Sequence, residues 1–415
     1  MTKKSDAPAI RFKGFSDAWE QRKLSEIADK VTEKNAGLQY VETFTNSAEF
    51  GIISQRDFFD HDIAKLGSLD GYYIVKNEDF VYNPRISTSA PVGPINRNKL
   101  GRTGVMSPLY TVFRPHDVDT TYLEHFFKCA YWHSFMNFNG DSGARSDRFS
   151  IKDDVFFQMP IPLPYIDEQR KIGELLTRLD HLITLHQRKF EKLTNVKKSM
   201  LEKMFPQNGS SYPEIRFKGF TDPWEQRKLG ELVDRVVRKN TNNESTLPLT
   251  ISAQYGLVDQ ITYFNNRVAS RDVSNYYLVL NGEFAYNKST SDGYPFGAVK
   301  RLDLYEKGVL STLYIVFAPK KEQQIDSDYL TVFFDTDRWH KGVAERAAEG
   351  ARNHGLLNIS AEDFFDIDLS VPKDIVEQKQ IGAFIRQLDN LITLHQRELE
   401  KLQNIKKSML EKMFV

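Results

Sequence analysis

Two copies of the tetrapeptide Glu-Gln-Arg-Lys, at residues 20–23 and 225–228, bring together acids and lysines of the kind that a nuclease uses on phosphodiesters. Asp17 and Asp222 stand three residues before the two glutamates, and Pro223 follows the second aspartate. A capping aspartate with a glutamate three residues later stabilises the first turn of a helix. Because capping accounts for these residues without catalysis, the sequence predicts a helix start at each copy.

The histidines and the single cysteine are the other candidates for chemistry. Cys129 is the only cysteine, which excludes an internal disulfide and a multi-cysteine zinc site and favours a reducing cytoplasm. His186 and His395 occupy equivalent places on two long apolar stripes. A polar residue that sets the register of paired helices is favoured there over a metal ligand. The sequence therefore predicts neither a metal nor a cofactor on this chain.

The basic residues are unevenly distributed. The 415-residue chain has 56 Lys and Arg against 56 Asp and Glu, a balance that argues mildly against a nucleic-acid partner. From residue 80 to residue 116, however, there are five cations and no acid. The corresponding stretch 284–321 carries six cations against three acids. This distribution favours two basic surfaces whose compensating acids lie elsewhere, although solvated loops would give the same composition.

The length of 415 residues suits two globular domains with connecting elements. Forty per cent of the residues are apolar and 27% are charged, which is typical of a soluble protein. No apolar run approaches the roughly 20 residues that span a bilayer, so no membrane association is expected. The first residues are charged and no apolar segment follows them, so we expect no secretory signal.

The main signal is an internal repeat. Residues 10–31 and 215–236 are identical at 16 of 22 positions, and residues 179–205 and 388–414 at 22 of 27. Between these boxes only short apolar, aromatic and glycine anchors are shared, such as Gly104–Phe113 with Gly308–Phe317. Two copies of one scaffold that differ in their loops indicate two related but different targets.

The segments between the boxes predict mixed α+β modules of about 150 residues. Short aromatic and β-branched runs predict strands. Apolar faces at three-and-four spacing predict one helix over 122–135 and one over 329–340. Each half then ends in a helix of about 37 residues, roughly 55 Å long, whose narrow apolar stripe is typical of a coiled-coil seam. The predicted helix-pairing residues are Leu179, Ile183, His186, Phe190, Leu193, Leu388, Ile392, His395, Leu399 and Leu402.

This organisation divides the chain into five segments. Residues 1–165 and 215–373 are the two globular modules, 166–206 and 374–415 are the two long helices, and 207–214 is a linker rich in Pro, Gly and Ser. If the halves are pseudo-symmetric, the helices lie antiparallel and separate the modules. A 55 Å separation covers on the order of 16 base pairs of DNA.

The chain resembles the specificity subunits of type I restriction–modification enzymes. The resemblance is carried by the Gly-Val-[Met/Leu]-Ser-[Pro/Thr]-Leu-Tyr-x-Val-Phe strand, by Glu168-Gln169 and Glu377-Gln378, and by the duplicated Leu-Asp-x-Leu-Ile-Thr-Leu-His-Gln-Arg helix. It covers nearly the whole chain in the family's order. It implies an α+β fold in which two homologous α/β target-recognition domains are separated by two long antiparallel coiled-coil helices, with a pseudo-two-fold internal repeat.

The resemblance also implies a function and partners. Each module would read one half of a bipartite double-stranded DNA sequence, and the helices would set the gap and dock two methyltransferase subunits. S-adenosylmethionine, and the ATP and Mg²⁺ used for restriction, are expected on the partner methyltransferase and motor–nuclease subunits. Because Lys and Arg contact phosphates and Arg, Lys, Asn and Gln read base edges, the candidate DNA-binding residues are Arg85, Asn96, Arg97, Lys99, Arg102, Arg145, Arg148, Lys288, Ser289, Lys300, Arg301, Arg346, Arg352 and Asn353.

Two other classes of function compete with this interpretation. A coiled-coil scaffold that binds proteins and has no DNA specificity would show the same helices. A self-contained methyltransferase or nuclease would need a Gly-rich cofactor loop after a strand or a repeated carboxylate cluster, and the sequence has neither. The sequence therefore favours a non-catalytic DNA-recognition subunit.

Overall fold

The structure, a computed structural model, describes residues 7–59, 66–141, 147–252, 255–291, 293–347 and 355–414. The chain forms two compact units, Met1–Gln187 with Arg397–Val415, and Arg188–Gln396. Each unit therefore combines one globular domain with parts of both long helices. Among the described residues, no helix has both the length and the apolar character needed to cross a bilayer.

Within its described residues, the first half contains ten strands and five α-helices, with short 3₁₀ helices at Leu24–Glu26 and Leu66–Gly71. The elements are β1 (Glu20–Lys23), β2 (Ala28–Lys30), β3 (Phe44–Ser47), β4 (Gly51–Ser54), α1 (Gln55–Phe59), β5 (Tyr73–Val75), β6 (Phe80–Tyr82), β7 (Ile95–Arg97), β8 (Gly104–Met106), β9 (Thr111–Pro115), α2 (Thr120–Phe126), α3 (His133–Asn139), α4 (Asp153–Phe156), β10 (Pro160–Leu163) and α5 (Ile166–Lys203) among the described residues.

The second half repeats the order of the strands and α-helices, with a short α-helix in place of the first 3₁₀ helix and no described counterpart of the second. Its described elements are β11 (Glu225–Lys228), α6 (Leu229–Leu232), β12 (Val233–Arg235), β13 (Leu249–Ser252), β14 (Gly256–Asp259), α7 (Gln260–Phe264), β15 (Tyr277–Leu280), β16 (Phe284–Asn287), β17 (Ala298–Arg301), β18 (Lys307–Leu310), β19 (Ile315–Pro319), α8 (Ser327–Phe334), α9 (His340–Arg346), α10 (Ala361–Phe365), β20 (Asp368–Val371) and α11 (Ile375–Lys412).

Each domain is built around a four-stranded antiparallel sheet, with strand order β2-β9-β6-β7 in the first and β12-β19-β16-β17 in the second. The register places Phe80 opposite Phe113 and Phe284 opposite Phe317. Their rings stack with centroids 5.5 and 5.3 Å apart. Since all four phenylalanines are fully buried, these shared cross-strand pairs anchor the core of each domain.

The helix starts predicted at the two Glu-Gln-Arg-Lys copies are wrong. Residues 20–23 form β1, which pairs with β10, and residues 225–228 form β11, which pairs with β20. The bonds between these strands link the beginning of each domain to the strand that precedes the long helix. Tertiary pairing across about 140 residues therefore overrides the local capping pattern.

The single helices predicted over 122–135 and 329–340 are each divided in two. α2 ends at Phe126 and α3 begins at His133, and α8 and α9 repeat the interruption. The indole Nε1 atoms of Trp132 and Trp339 donate to the carbonyls of Phe127 and Phe334, both at 3.2 Å. These buried tryptophans satisfy the carbonyls at the interruption, which explains why the chain can turn there.

The two long helices have the predicted length, 38 residues each. In the first unit, Asp180 of α5 pairs with Lys406 of α11, and Phe414 packs against Tyr122 at 5.5 Å between ring centroids. In the second unit, Lys197 of α5 pairs with Asp389 of α11 at 2.7 Å. Within each unit the first half of one long helix therefore contacts the second half of the other. Leu179, Leu193, Leu388 and Leu402 are among the contributing apolar residues.

A Glu-Gln pair near the start of each long helix joins that helix to its domain. Glu168 accepts two hydrogen bonds from Arg11 at 2.7 and 2.8 Å, and Glu377 accepts two from Arg216 at 2.6 and 2.8 Å. Gln169 Oε1 accepts from the backbone N–H of Asp119, the N-cap of α2, at 2.9 Å. Gln378 does the same for the N-cap of α8. The pair therefore fixes the direction in which each long helix leaves its domain.

Candidate nucleic-acid interface

Arg97 lies in a buried ion-pair network in the first domain. Its side chain is 9% exposed, with Nη2 2.6 Å from Glu124 Oε2 and Nη1 3.0 Å from Glu78 Oε2. Burial alone would raise the pKa of Glu124, but the charges of Lys128, Arg97 and Lys99 outweigh it and lower that pKa to about 2. Arg97 therefore connects β7 to α2, and its replacement would leave a buried carboxylate short of a partner.

Three other predicted residues of the first domain also have partners within the protein. Lys99 is 56% exposed and lies 3.1 Å from Glu124. Arg102 forms two hydrogen bonds with Glu42, at 2.8 and 2.7 Å. The side-chain amide of Asn96 donates to Asn46 Oδ1 at 2.7 Å. Contact of these residues with DNA stays a prediction, and such contact would compete with the bonds that they make here.

Arg85 and Arg148 are the predicted cations best placed to meet a ligand. They are paired by a backbone bridge. Arg85 is exposed and lines a cavity of about 600 Å³, and Arg148 lines a second cavity of about 460 Å³. The backbone N–H of Arg85 donates to Asn83 Oδ1 at 3.0 Å, which fixes the loop. The structure thus brings two of the predicted arginines together.

In the second domain the predicted cations are mostly engaged in ion pairs. Arg301, 13% exposed, lies 2.8 Å from Asp328, and Lys300 lies 2.8 Å from Asp335. The charges of Lys300 and Lys197 lower the pKa of Asp335 against the opposing effect of its burial. The remaining predicted residues of this domain are Arg346, paired with Asp366 at 2.7 Å, Lys288, whose Nζ is 3.4 Å from the carbonyl of Ile359, and the exposed Ser289.

Arg145, Arg352 and Asn353 lie outside the described residues. Among the described residues, no group of three or more His, Cys, Asp or Glu side chains could hold a metal ion.

Sequence reasoning missed one surface in each domain. The hairpin β3–β4 with α1 presents Phe50, Phe58 and Phe59, and the hairpin β13–β14 with α7 presents three aromatic residues at an offset of 205, all of them exposed. One sequence match marks both surfaces, namely Ser-Ala-Glu-Phe-Gly at 47–51 and Ser-Ala-Gln-Tyr-Gly at 252–256. This match is shorter than the ten-residue anchor Gly104–Phe113 and does not stand out beside it.

Beside Glu124, the structure buries a histidine that the second domain lacks. Burial, followed by the charge of Lys128, lowers the pKa of His125 to about 4. The ring is 1% exposed and its Nε2 lies 3.2 Å from Thr177 Oγ1. The equivalent position in α8 is the buried Val332. The first unit should therefore be more sensitive to acid at this position than the second.

We expect His125→Val to remove part of this acid sensitivity. The pKa of His125 is lower in the folded state than in the unfolded chain, so the unfolded chain binds more protons as the pH falls from about 6.5 toward 4. Stability is full above pH 6.5, and about 2 kcal/mol of it is lost by pH 5 in the wild type. Melting temperatures of both proteins between pH 7.5 and 5 test this. Parallel curves for the two proteins would contradict it.

With both domains described, their relation to known proteins can be stated. The family model of the type I restriction modification DNA specificity domain matches residues 16–195 and 221–404. The chain belongs to this family. Each specificity-domain match covers one globular domain and continues into the long helix that follows it. The duplication of the sequence is therefore a duplication of the specificity domain.

Relatives of this specificity-domain protein agree in sequence and in fold. The type I restriction enzyme MjaVIII specificity subunit of Methanocaldococcus jannaschii is 24% identical over 269 residues, which cover 62% of this chain. The match spans 61% of the length of that relative. The crystal structure of a type I restriction–modification system S subunit from M. genitalium superposes with a TM-score of 0.60 over 99% of each chain at 12% identity, which shows a shared fold.

Proposed function

We propose that this chain is the DNA-reading subunit of a type I restriction–modification complex. Each recognition domain reads one half of a bipartite double-stranded DNA site. The two long helices, paired as an antiparallel coiled coil with pseudo-two-fold symmetry, set the gap between the halves and dock two methyltransferase subunits. The chain itself is non-catalytic. S-adenosylmethionine is bound by the methyltransferase subunits, and ATP and Mg²⁺ act in restriction on the motor–nuclease subunits.

The observation that carries this proposal is one backbone bridge that occurs in both domains with different side chains. In the first domain it joins Arg85 to Arg148, and in the second it joins Ser289 to Leu356. The same turn precedes the bridge in both domains. The Oδ1 atoms of Asn83 and Asn287 each accept a hydrogen bond, at 3.0 Å, from the backbone N–H of the residue two positions later. A shared frame that presents two arginines in one copy and a serine and a leucine in the other suits two different base sequences.

The long helices offer a surface for two copies of one partner. Leu182 and Leu185 of α5 are 40% and 38% exposed, and Leu391 and Leu394 of α11 are 44% and 52% exposed. These pairs lie in the nearly identical helix sequences, so the same apolar surface is present twice. Exposed leucines at a spacing of three residues form the kind of face that a partner helix covers. Duplication of that face supports two identical methyltransferase subunits as the occupants.

Sequencing of native host DNA with detection of adenine methylation tests the proposal directly. In cells that carry the gene we expect a bipartite motif with a fixed gap, and we expect that motif to disappear when the gene is deleted. An unchanged methylation pattern in cells that express the partner methyltransferase would instead favour the protein-binding scaffold. Methyl transfer by the purified chain alone would contradict its non-catalytic role.

We expect Arg85→Ala to change one half of the motif only. Loss of one good side-chain contact to a base costs about 1–3 kcal/mol of discrimination, and Arg85 lies in the first domain alone. Methylation sequencing should therefore show relaxed specificity in one half-site and the wild-type sequence in the other. Lys13→Ala, which removes an equal charge from an exposed position outside the cavities, is the matched control. Equal relaxation of both halves would rule out the assignment of one domain to one half-site.

A further inference from the structure

Three exposed aromatic rings form a ledge on the first domain. Phe50, Phe58 and Phe59 are 60%, 39% and 37% exposed. Phe58 contacts Phe59 edge to face at 4.6 Å between ring centroids, and Phe50 lies 6.2 Å from Phe58. Several aromatic rings left together in water are unfavourable, because burial of apolar surface is favourable and exposed apolar patches commonly mark binding sites. We call this surface the first aromatic ledge.

The second domain carries the same feature at an offset of 205 residues. Tyr255, Tyr263 and Phe264 are 61%, 48% and 49% exposed and form the second aromatic ledge. The rings of Tyr263 and Phe264 lie 5.0 Å apart. Chance exposure would not be expected to place aromatic residues at three matching positions of two domains whose loops otherwise differ. The matching positions therefore indicate a role that the two ledges share.

The residues around the ledges differ between the domains, and this indicates the class of ligand. Between the first and second aromatic positions of the ledges, the first domain has Arg56-Asp57 where the second has Ile261-Thr262. A partner protein present in two identical copies would require identical surroundings, whereas two different DNA half-sites require the opposite. Constant aromatic rings with variable neighbours fit a ligand that is chemically alike at both sites and different in sequence.

The first aromatic ledge borders the cavity of about 600 Å³ that Arg85 also lines. Gln55 lies in its wall, is 7% exposed, and has no described donor for its Oε1 atom. In the second domain the equivalent Gln260 Oε1 accepts the backbone N–H of Ala269 at 2.6 Å. The residue that corresponds to Ala269 is Ala64, which lies outside the described residues, so Gln55 marks the wall of the cavity without identifying a ligand.

On these grounds we propose that each aromatic ledge is an apolar wedge that presses into the base stack of its half-site and opens one base step. This inference rests on the proposed function, since it assigns the ledges to the same DNA. Apolar side chains inserted at a base step bend the duplex and expose base edges. At the first ledge, the opened step places a base beside Gln55 and Arg85. The ledges add affinity without neutralising phosphates.

The test uses the complex of this chain with its methyltransferase subunits, and duplexes that carry the bipartite motif found by methylation sequencing. In these duplexes 2-aminopurine is scanned through both half-sites. On binding of the wild-type complex, we expect the fluorescence to rise at one step of each half. The variant Phe58→Ala/Phe59→Ala should abolish the rise in one half and weaken binding at least tenfold. The salt dependence of its affinity should stay that of the wild type, because no cation is lost.

Phe138→Ala is the matched control, since this phenylalanine is 88% exposed on α3 and outside the ledge. Unchanged affinity of the double variant, or no fluorescence rise at any scanned step, would overturn the wedge. A double variant that binds DNA normally but loses its methyltransferase subunits would overturn it in favour of a protein occupant. If the wild-type complex itself fails to prefer the motif, the proposed function fails instead.

Discussion

Replacement of Arg216 by Met is expected to lower the free energy of unfolding of the second unit by about 3–5 kcal/mol, because it leaves Glu377 buried without its partner. Glu377 is 1% exposed and receives both hydrogen bonds of the arginine fork. The hydrogen bond to Glu377 raises the pKa of Arg216 although burial opposes this, so the arginine stays charged. Hydrogen–deuterium exchange of peptides from the second unit measures the loss locally.

Two further variants separate the ion pair from the rest of the arginine. Arg227→Met removes a solvent-accessible pair with Glu231 and a hydrogen bond to Gln323 at 3.2 Å in the same unit. It should lower the free energy of unfolding by about 1 kcal/mol or less. The double variant Arg216→Met/Glu377→Met replaces both charges with apolar groups and should recover most of the loss. If Arg216→Met and Arg227→Met lower the free energy of unfolding equally, burial does not determine how much an ion pair contributes to stability.

The same bond in the first unit, between Arg11 and Glu168, illustrates what the sequence could and could not reveal. The repeat, the helix lengths and the Glu-Gln pairs are all visible in the sequence, and they predict the family membership. The partner of Glu168 is not visible there, because it lies 157 residues away and only the fold brings the two together. The sequence pattern locates the Glu-Gln pair, but only the tertiary structure shows that the glutamate bonds to Arg11.

The predicted DNA-binding residues show the complementary limit. Arg97 and Arg301 are aligned in the two domains and both stand in segments with few acids, so they are natural candidates. The structure brings acids to them from α2 and α8, elements that the sequence places outside the basic stretches. An arginine side chain is available for DNA only if no acid of the fold reaches it, and that depends on packing across the sheet. The aromatic ledges escape sequence reasoning for the opposite reason, since exposure of an aromatic residue is not visible in a sequence.

Gly297→Ala is expected to destabilise the second domain by about 4 kcal/mol, through backbone strain and steric overlap together. The glycine has a φ of +77°, which an alanine adopts at a cost of about 1–2 kcal/mol. A Cβ atom at this position would lie 2.1 Å from the carbonyl oxygen of Asn287, a backbone atom that cannot move aside without disturbing β16. Relief of such an overlap typically costs a further 1–3 kcal/mol or so, roughly that of overpacking a core.

Gly282→Ala isolates the two contributions. Gly282 has a φ of +84°, and a Cβ atom added there would have no neighbouring atom within 4 Å, so its replacement introduces the strain without the overlap. We expect a loss of about 1–2 kcal/mol for Gly282→Ala and the larger loss for Gly297→Ala, measured by urea unfolding of the two variants. Equal losses would mean that the loop before β17 moves freely away from Asn287. Because Asn287 also fixes the turn that presents Ser289, a rigid loop there is what the proposed reading of different sequences on one frame requires.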